Sequence, residues 1–219
     1  MIKGGDQIPE SERCLKPPEF YADAEETGIT NMVFQPPWPQ GVGWPFRTTI
    51  VLAMLRPHDN ILELGSGMGI LPAMLHHYWR HQGTYLGLDF SKGAIQVADK
   101  GNREQGGHPR AMFAQIGLDS DEGRSWVTEY LTDHPETVVV CCETLEHLKF
   151  DRELIAAIPS GIHCVLSVPQ FWAKSHLRRF ETPKTVSDRY GGYLRAQYQQ
   201  FQFYRAPLSG WIRVWGSRI

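Results

Sequence analysis

The sequence predicts an α/β fold with a mostly parallel sheet, and three observations support this prediction. A short apolar run ends at the glycine turn Gly65–Gly69, and an apolar helical pattern follows at once. Further apolar runs alternate with helical stretches, as parallel strands joined by crossover helices require. The C-terminal part instead carries two alternating, aromatic segments, Gln197–Arg205 and Trp211–Ser217, which predict an antiparallel pair of strands around 206–210.

The first elements are predicted from apolar spacing and from residues that end helices. An apolar helix over 46–56 ends before Pro57, and the first strand covers Asn60–Leu64. The first crossover helix covers about Ile70–Gln82, because its core positions recur at helical spacing. Its histidines, His76, His77 and His81, fall on other positions, and we interpret them as a solvated face.

The later elements continue the alternation of strand and helix. Strand two ends at Asp89, and Ser91 then caps a helix over Lys92–Gln105. Strand three is Ala111–Ile116. The fourth strand, Thr137–Cys142, is an unbroken apolar run of the kind that parallel sheets need, and the fifth is His163–Val168.

Composition limits the class of protein. With 219 residues and 42% hydrophobic content, the chain can bury one substantial core. The formal net charge of −2 provides no general basic field, so dependence on nonspecific nucleic-acid binding is disfavoured, although a local basic patch stays open. The sequence shows no apolar run of membrane-spanning length, no signal-peptide core and no C-x-x-C pair. We therefore expect a cytoplasmic protein with reduced cysteines, no membrane partner, and a monomeric or homodimeric state.

The glycine turn and its surroundings resemble a known family. The spacing Glu63-x-Gly65-x-Gly67-x-Gly69 differs from the G-x-G-x-x-G of dinucleotide enzymes. It resembles the first motif of class I S-adenosylmethionine-dependent methyltransferases, and the strand ending at Asp89 resembles their second motif. The resemblance implies a doubly wound, mostly parallel seven-stranded sheet, with helices on both faces, a C-terminal antiparallel hairpin and S-adenosylmethionine as cofactor.

The resemblance also implies which residues bind the cofactor. The glycine turn would support the amino-acid part of S-adenosylmethionine, Asp89 would bind the ribose, and Phe90 would pack near the adenine. The turn after strand three would pass the adenine, with Asp119 as a further acceptor or a helix cap. The cofactor-binding residues expected on this basis are Glu63, Gly65, Ser66, Gly67, Asp89, Phe90, Gly117, Leu118 and Glu143.

The sequence predicts the substrate that accepts the methyl group less directly than it predicts the cofactor. Residues 1–45 are rich in proline and aromatic residues, and in this family such a segment often covers the active site, so we separate it from a methyltransferase domain over 46–219. An equally weighted alternative is that these aromatics only cover the core. We expect a small-molecule acceptor, O- or N-methylated, with His147 or His176 as the catalytic base. Lys174, Arg178 and Arg179 form a small basic cluster, either a solvated loop or a site for an acidic substrate group.

Two alternatives stay open. If the segment after strand four is helical, Glu143, Glu146 and His147 share a face and form with His176 a set able to bind a divalent metal. This set looks like the metal site of small-RNA 3′-terminal 2′-O-methyltransferases, so the first alternative is a metal-dependent RNA 2′-O-methyltransferase. The preferred interpretation contains no metal. The other alternative is a nucleoside-binding protein without catalysis.

Overall fold

The computed structural model describes residues 51–171, 175–203 and 206–219, with side chains omitted over 198–211. The prediction for residues 1–45 lies outside the described residues, as do Lys174 and most of the predicted helix over 46–56. No helix within the described part is long and apolar enough to cross a membrane.

Helices and strands alternate along the described chain. The strands are β1 (Ile61–Leu64), β2 (Tyr85–Asp89), β3 (Ala111–Gln115), β4 (Val138–Cys142), β5 (His163–Pro169), β6 (Leu194–Phe203) and β7 (Ala206–Arg218). The α-helices are α1 (Ile70–Trp79), α2 (Lys92–Glu104), α3 (Asp121–Asp133), α4 (Asp151–Ala157) and α5 (Pro183–Tyr190). A short 3₁₀ helix covers Leu145–His147.

The seven strands form one mixed sheet in the order β3-β2-β1-β4-β5-β7-β6. β2 pairs in parallel with β1 and with β3, and β4 pairs in parallel with β5. β7 is antiparallel to both of its neighbours, β5 and β6. The predicted α/β fold, with seven strands and a C-terminal antiparallel hairpin, is therefore observed.

The chain divides into two compact units, which are described separately. Among the described residues, the N-terminal unit contains 51–117 and 136–138, and the C-terminal unit contains 118–135 and 139–219. In the N-terminal unit, β1 and β2 are buried along their whole length, in the register Ile61↔Tyr85 to Leu64↔Leu88. This complete burial explains why each strand is a continuous apolar run with a single acidic residue, which lies at or next to its C-terminal end.

Helix ends in both units follow local capping chemistry. Ser91 accepts a hydrogen bond from the amide of Ala94, and Ser120 caps α3 through the amide of Gly123. Thr182 and Thr185 form a reciprocal capping box at the start of α5. These caps therefore fix the residues at which α2, α3 and α5 begin.

The hairpin differs from its prediction. Ala206 already belongs to β7, so the segment 206–210 is a strand rather than a turn. Within this stretch Ala206 pairs with Phe203 and Gly210 pairs with Gln202, and the register between β6 and β7 shifts between these two pairs. Pro207 lies in this irregular part of the strand, where a missing backbone donor is tolerated.

Candidate functional site

The glycine turn lies directly after β1 and is bent by glycines in the left-handed region. Gly65, Gly67 and Gly69 have φ values of 82°, 53° and 79°. The left-handed region is costly for residues with a Cβ, so these positions favour glycine. At Gly69 an added Cβ would also lie 3.2 Å from Ala98 Cβ. Helix α1 begins immediately after Gly69.

The backbone amides of this turn are bound to the protein. Gly65 and Ser66 both donate to the carbonyl of Leu88, each at 2.8 Å. Gly67 donates to Asp89 Oδ2 at 3.0 Å, and Gly69 donates to the carbonyl of Ser66 at 3.1 Å. A turn that binds phosphate presents its amides to the ligand. In this turn these four amides are directed into the protein instead.

Asp89 is buried at the end of β2 and is held from both sides. Its Oδ1 accepts from the amide of Ser91 at 2.8 Å, while its Oδ2 accepts from Gly67. Burial raises the pKa of Asp89, and the two amide hydrogen bonds act in the opposite direction. The next side chain, Phe90, is 50% exposed, and its carbonyl accepts from Gln115 Nε2. The result is a fixed carboxylate followed by an open aromatic face.

Glu63 lies on β1 with its carboxyl group buried, and Tyr85 Oη donates to its Oε2. Burial raises the pKa of Glu63 to about 8, the hydrogen bond from Tyr85 lowers it, and the charge of Asp89 raises it further. Glu63 is therefore largely protonated at neutral pH. Sequence reasoning missed Tyr85, because nothing local in an apolar strand marks its hydroxyl as a partner of Glu63.

A glycine inside β2 reveals how closely the turn packs on the sheet. Gly87 lies opposite Glu63 in the register, and a Cβ placed on Gly87 would lie 2.7 Å from Ser66 Cβ. A glycine inside an apolar strand often signals such a close approach of another backbone. The sequence therefore contained this signal. Of the remaining residues predicted in this unit, Gly117 is exposed and lies beyond β3.

In the C-terminal unit, the turn after β3 is organised by Asp119. Its two carboxylate oxygens accept from the amides of Lys149 and Phe150, at 3.1 and 2.8 Å. The cap of α3 is Ser120, so Asp119 ties two loops together rather than capping that helix. Its neighbour Leu118 is buried.

Glu143 follows β4 in a left-handed backbone conformation, with φ 53°. Its Oε1 accepts from Ser167 Oγ at 2.9 Å, and its amide donates to the carbonyl of Ser167 at 3.1 Å. Among the residues that the structure describes, Arg80 is the other non-glycine residue with a positive φ. A strained residue at the end of a parallel strand is a common feature of functional sites.

Glu146, His147 and His176 lie together, with one ligating atom from each within 4.8 Å of the others. We call these three residues the Glu146 cluster. Glu146 Oε1 is 3.6 Å from His147 Nε2 and 4.0 Å from His176 Nε2. The segment is a 3₁₀ helix that begins after Glu143, and Glu143 is not part of the cluster. Three of the four residues in the predicted metal set are therefore adjacent.

Two further predictions need correction. His81 is buried rather than solvated, because its ring contacts the buried His108 with 2.9 Å between Nδ1 and Nε2. Arg178 is also buried and donates to the carbonyls of Leu145 and Leu148, each at 2.6 Å, so it holds the 3₁₀ helix rather than a substrate. Arg179 pairs with Glu181.

Comparison with known proteins identifies the fold. No protein-family model and no curated protein sequence matches the chain. Among solved structures, the chain is similar to a SAM-dependent methyltransferase from Aquifex aeolicus, with TM-score 0.59, 9% identity and coverage of 94% of this chain and 100% of that one. It is also similar to the N-methyltransferase NodS from Bradyrhizobium japonicum in complex with S-adenosyl-L-homocysteine, with TM-score 0.57, 16% identity and coverage of 87% and 97%.

A third similar structure is the CurJ carbon methyltransferase, with TM-score 0.62, 12% identity and coverage of 90% of this chain and 59% of that one. These neighbours include an N-methyltransferase and a carbon methyltransferase. The chain therefore has the class I methyltransferase fold that the glycine turn predicts. The identities are those of a shared fold and do not indicate an acceptor.

Proposed function

We propose that this chain is an S-adenosylmethionine-dependent methyltransferase that acts on a small-molecule acceptor by O- or N-methylation. The observation that carries the proposal is the left-handed glycine turn whose Gly67 amide is bound to the Asp89 carboxylate. The fold supports the proposal, because neighbours with this fold are methyltransferases.

The amides of the turn favour a donor without phosphate. The amides of Gly65, Ser66, Gly67 and Gly69 bind protein oxygens, so they are not available to cradle a pyrophosphate. S-adenosylmethionine is a nucleoside with an amino-acid arm and a sulfonium, and it contains no phosphate. We therefore prefer it to a dinucleotide.

The residues of the N-terminal unit fit the parts of this cofactor. A carboxylate held by two amides keeps further lone pairs for ribose hydroxyls, which is the role proposed for Asp89. The exposed ring of Phe90 offers a face to the adenine. Glu63, Gly65, Ser66 and Gly67 would lie under the amino-acid arm, and Gly117, Leu118 and Glu143 stay proposed cofactor residues from the resemblance.

Methyl transfer itself needs alignment more than acid–base chemistry. The acceptor lone pair forms the new bond to the methyl carbon while the C–S bond breaks, and the electron pair stays on sulfur. Because the sulfonium of S-adenosylmethionine is already strongly electrophilic, the main tasks of the protein are to position donor and acceptor and to exclude water. The acceptor proton must leave when the nucleophile is a hydroxyl or a protonated amine. We keep His147 and His176 as the residues proposed to activate the acceptor.

Calorimetry tests the cofactor assignment. We expect the purified chain to bind S-adenosylmethionine and its demethylated product, and Asp89→Asn to weaken both about 10- to 100-fold. That range corresponds to the loss of a hydrogen bond to a charged group, about 1.5–3 kcal/mol. Asp99→Asn, on the exposed face of α2, is the matched control and should bind as the wild type does. Absence of binding by the wild-type chain would reject the assignment.

Transfer of labelled methyl groups tests the acceptor. The donor carries the label, and the chain is incubated with hydroxyl- and amine-bearing small molecules or with short RNAs. Label in a small molecule supports the proposal. Label only at the 3′-terminal ribose of RNA would replace it with the RNA alternative, and binding without transfer to any acceptor tested would favour the non-catalytic alternative.

A further inference from the structure

We infer that the outer edge of β3 pairs with the same edge of a second copy of this chain, so that two sheets join through antiparallel β3 strands. β3 is the last strand at one end of the sheet, and among the described strands only β2 pairs with it. The inference concerns assembly and does not depend on the methyltransferase activity proposed above. Of the monomer and the homodimer expected from the sequence, it selects the homodimer.

The hydrogen bonds to β2 show which backbone groups of β3 lie on the outer edge. The carbonyl of Arg110 accepts from the amide of Tyr85 at 3.2 Å, and the amide of Ile116 donates to the carbonyl of Asp89 at 2.9 Å. In a parallel ladder, alternate residues direct both backbone groups to the same neighbouring strand. The even-numbered residues of β3 therefore face β2. The odd-numbered residues face outward, and these are Ala111, Phe113 and Gln115.

Phe113 and Gln115 have both of their outward groups available. The amide of Ala111 donates to the carbonyl of His108 at 3.1 Å, so the first outward amide is already bound. Within the described part of the chain, no hydrogen bond reaches the backbone amides or carbonyls of Phe113 and Gln115. A row of unpaired backbone groups on an edge strand is a template for pairing with another chain.

β3 also lacks the features that normally protect an edge strand. Natural edge strands usually carry charged residues or proline, which oppose pairing with another chain. The run from Ala111 to Leu118 contains neither. One face of the strand is covered, because the ring of Phe113 contacts that of Tyr85 with 5.8 Å between the ring centroids. On the other face Met112 is 60% exposed, so an open apolar side chain lies beside the unpaired backbone.

The available groups determine how the two copies align. A two-fold axis through Ala114 places Phe113 of each copy opposite Gln115 of the other, so that each residue donates its amide and accepts at its carbonyl. An axis through Phe113 would instead place Ala111 opposite Gln115. That alignment loses a hydrogen bond at each end, because the amide of Ala111 is already bound to His108.

The side chains on the open face match in the alignment about Ala114. Ala114 lies opposite its own copy at the axis, where its small side chain lets the two strands approach. Met112 lies opposite the half-buried Ile116 of the second copy, so the exposed apolar side chain gains an apolar neighbour. The two Arg110 residues lie at opposite ends of the paired region, about 26 Å apart, where salt screens their repulsion.

A second copy is therefore the occupant that this edge fits. Its unpaired backbone groups are reciprocal about one point, and its open face presents apolar residues at positions that meet in the pair. The paired region is a single short strand from each copy, which is less than a standard interface provides. We accordingly expect a reversible dimer with a Kd on the order of 10 µM.

Sedimentation of the purified full-length chain tests the inference, over concentrations from about 1 µM to about 200 µM that span the expected Kd. Gln115→Pro removes an outward amide and keeps the groups that face β2, so self-association should weaken more than about 10-fold. Gln115→Ala is the matched control. It loses only the side-chain hydrogen bond from Nε2 to the carbonyl of Phe90, and it should form the dimer as the wild type does.

Met112→Lys keeps the test decisive if Gln115→Pro fails to fold, because Met112 is exposed in the single chain. The introduced charge would be covered in the dimer, and self-association should again weaken at least about 10-fold. A wild-type chain that stays monomeric at the highest concentration overturns the inference. Equal self-association by the wild type, Gln115→Pro and Met112→Lys also overturns it, because the contact would then lie elsewhere.

Disulfide cross-linking tests the alignment itself. Directly opposed residues that do not share hydrogen bonds have Cα atoms about 4.5 Å apart, within the range that a disulfide spans. Ala114→Cys should therefore form a covalent dimer under mild oxidation. Ala111→Cys is the control, because this equally half-buried residue of the same strand lies about 20 Å from its own copy.

The wild-type chain measures any cross-linking by the native cysteines. Ala114→Cys that cross-links no more than Ala111→Cys overturns the inference. None of these measurements uses S-adenosylmethionine, so the assembly and the cofactor assignment can each fail without the other.

Discussion

Glu143 shows how one residue can combine strain with a polar function. Its left-handed backbone is a conformation that a glycine would adopt more readily, yet the residue carries a carboxylate that accepts from Ser167. Such strain persists only where the surrounding structure imposes it. The hydrogen bond from Ser167 and the pairing of β4 with β5 are the parts of the C-terminal unit that hold it.

Glycine substitution should separate the strain from the function. Glu143→Gly relieves the backbone but loses the hydrogen bond, so we expect the free energy of unfolding to change by less than about 1 kcal/mol. We expect affinity for S-adenosylmethionine to fall at least about 10-fold, because the proposed cofactor group is lost. Urea unfolding and calorimetry measure the two effects.

Arg80 provides the matched control for this substitution. It also has a positive φ, 48°, at the C-terminal end of α1, where glycine is the favoured residue. Arg80→Gly should stabilise the chain by about 0.5–1 kcal/mol and leave cofactor binding unchanged. Wild-type cofactor affinity in Glu143→Gly would show that Glu143 has no part in binding the donor.

At the scale of elements, sequence patterns located the strands well and the contacts between elements poorly. The predicted β1 to β5 agree with the observed ranges to within a residue or so, because each is a short apolar run with a clear end. Helix α1 ends three residues earlier than predicted, at Trp79, because Arg80 adopts a left-handed conformation that no sequence signal marks. Partners distant in sequence, such as Tyr85 for Glu63, were not predictable from spacing.

A buried ionic network is a second example of contacts between residues distant in sequence that spacing does not predict. Asp151, at the start of α4, accepts from Arg189 Nε and a second Arg189 nitrogen at 2.6 and 2.7 Å, and from Tyr190 Oη at 2.6 Å. Arg178 lies 3.4 Å away. Burial raises the pKa of Asp151, but the hydrogen bonds and charges of these partners outweigh it and leave the pKa below its usual value. The network joins α4 to α5 and to the loop before it.

Removing the charge of Asp151 should destabilise the chain strongly. Asp151→Asn removes the carboxylate that pairs with the buried Arg178 and the half-buried Arg189, and we expect a loss of about 3–5 kcal/mol in the free energy of unfolding. Asp188→Asn removes an exposed partner of Lys184 in α5 and should cost less than about 0.5 kcal/mol. Urea unfolding at pH 7 compares them, and equal losses would contradict a structural role for the network.

At the scale of the whole molecule, two buried groups with opposite pKa shifts make opposing contributions to how stability depends on pH. Burial raises the pKa of Glu63 to about 8, while burial and the neighbouring His81 and His76 lower the pKa of His108 to about 4. The folded chain binds the proton of Glu63 more tightly than the unfolded chain does, and the proton of His108 less tightly. The two effects therefore have opposite signs.

The pH range over which each group changes stability lies between its pKa in the unfolded chain and its pKa in the folded chain. The stability associated with protonated Glu63 is complete below pH 4.5 and is lost as the pH rises to about 8. The stability associated with neutral His108 is complete above pH 6.5 and is lost as the pH falls towards about 4. Where the windows overlap, the two slopes oppose each other. Between about pH 6.5 and 8 only the Glu63 slope of this pair remains.

We therefore expect stability to fall by about 2 kcal/mol from pH 6.5 to 8, since one pKa unit corresponds to about 1.4 kcal/mol. Glu63→Gln keeps an acceptor for Tyr85 but cannot ionise, so it should abolish most of this decline. Glu136→Gln, an exposed change in the same unit, should retain it. Urea unfolding at the two pH values provides the comparison. An equal decline in the wild type and in Glu63→Gln would mean that Glu63 ionises normally in the folded chain, and that its burial beside Asp89 does not control the proton.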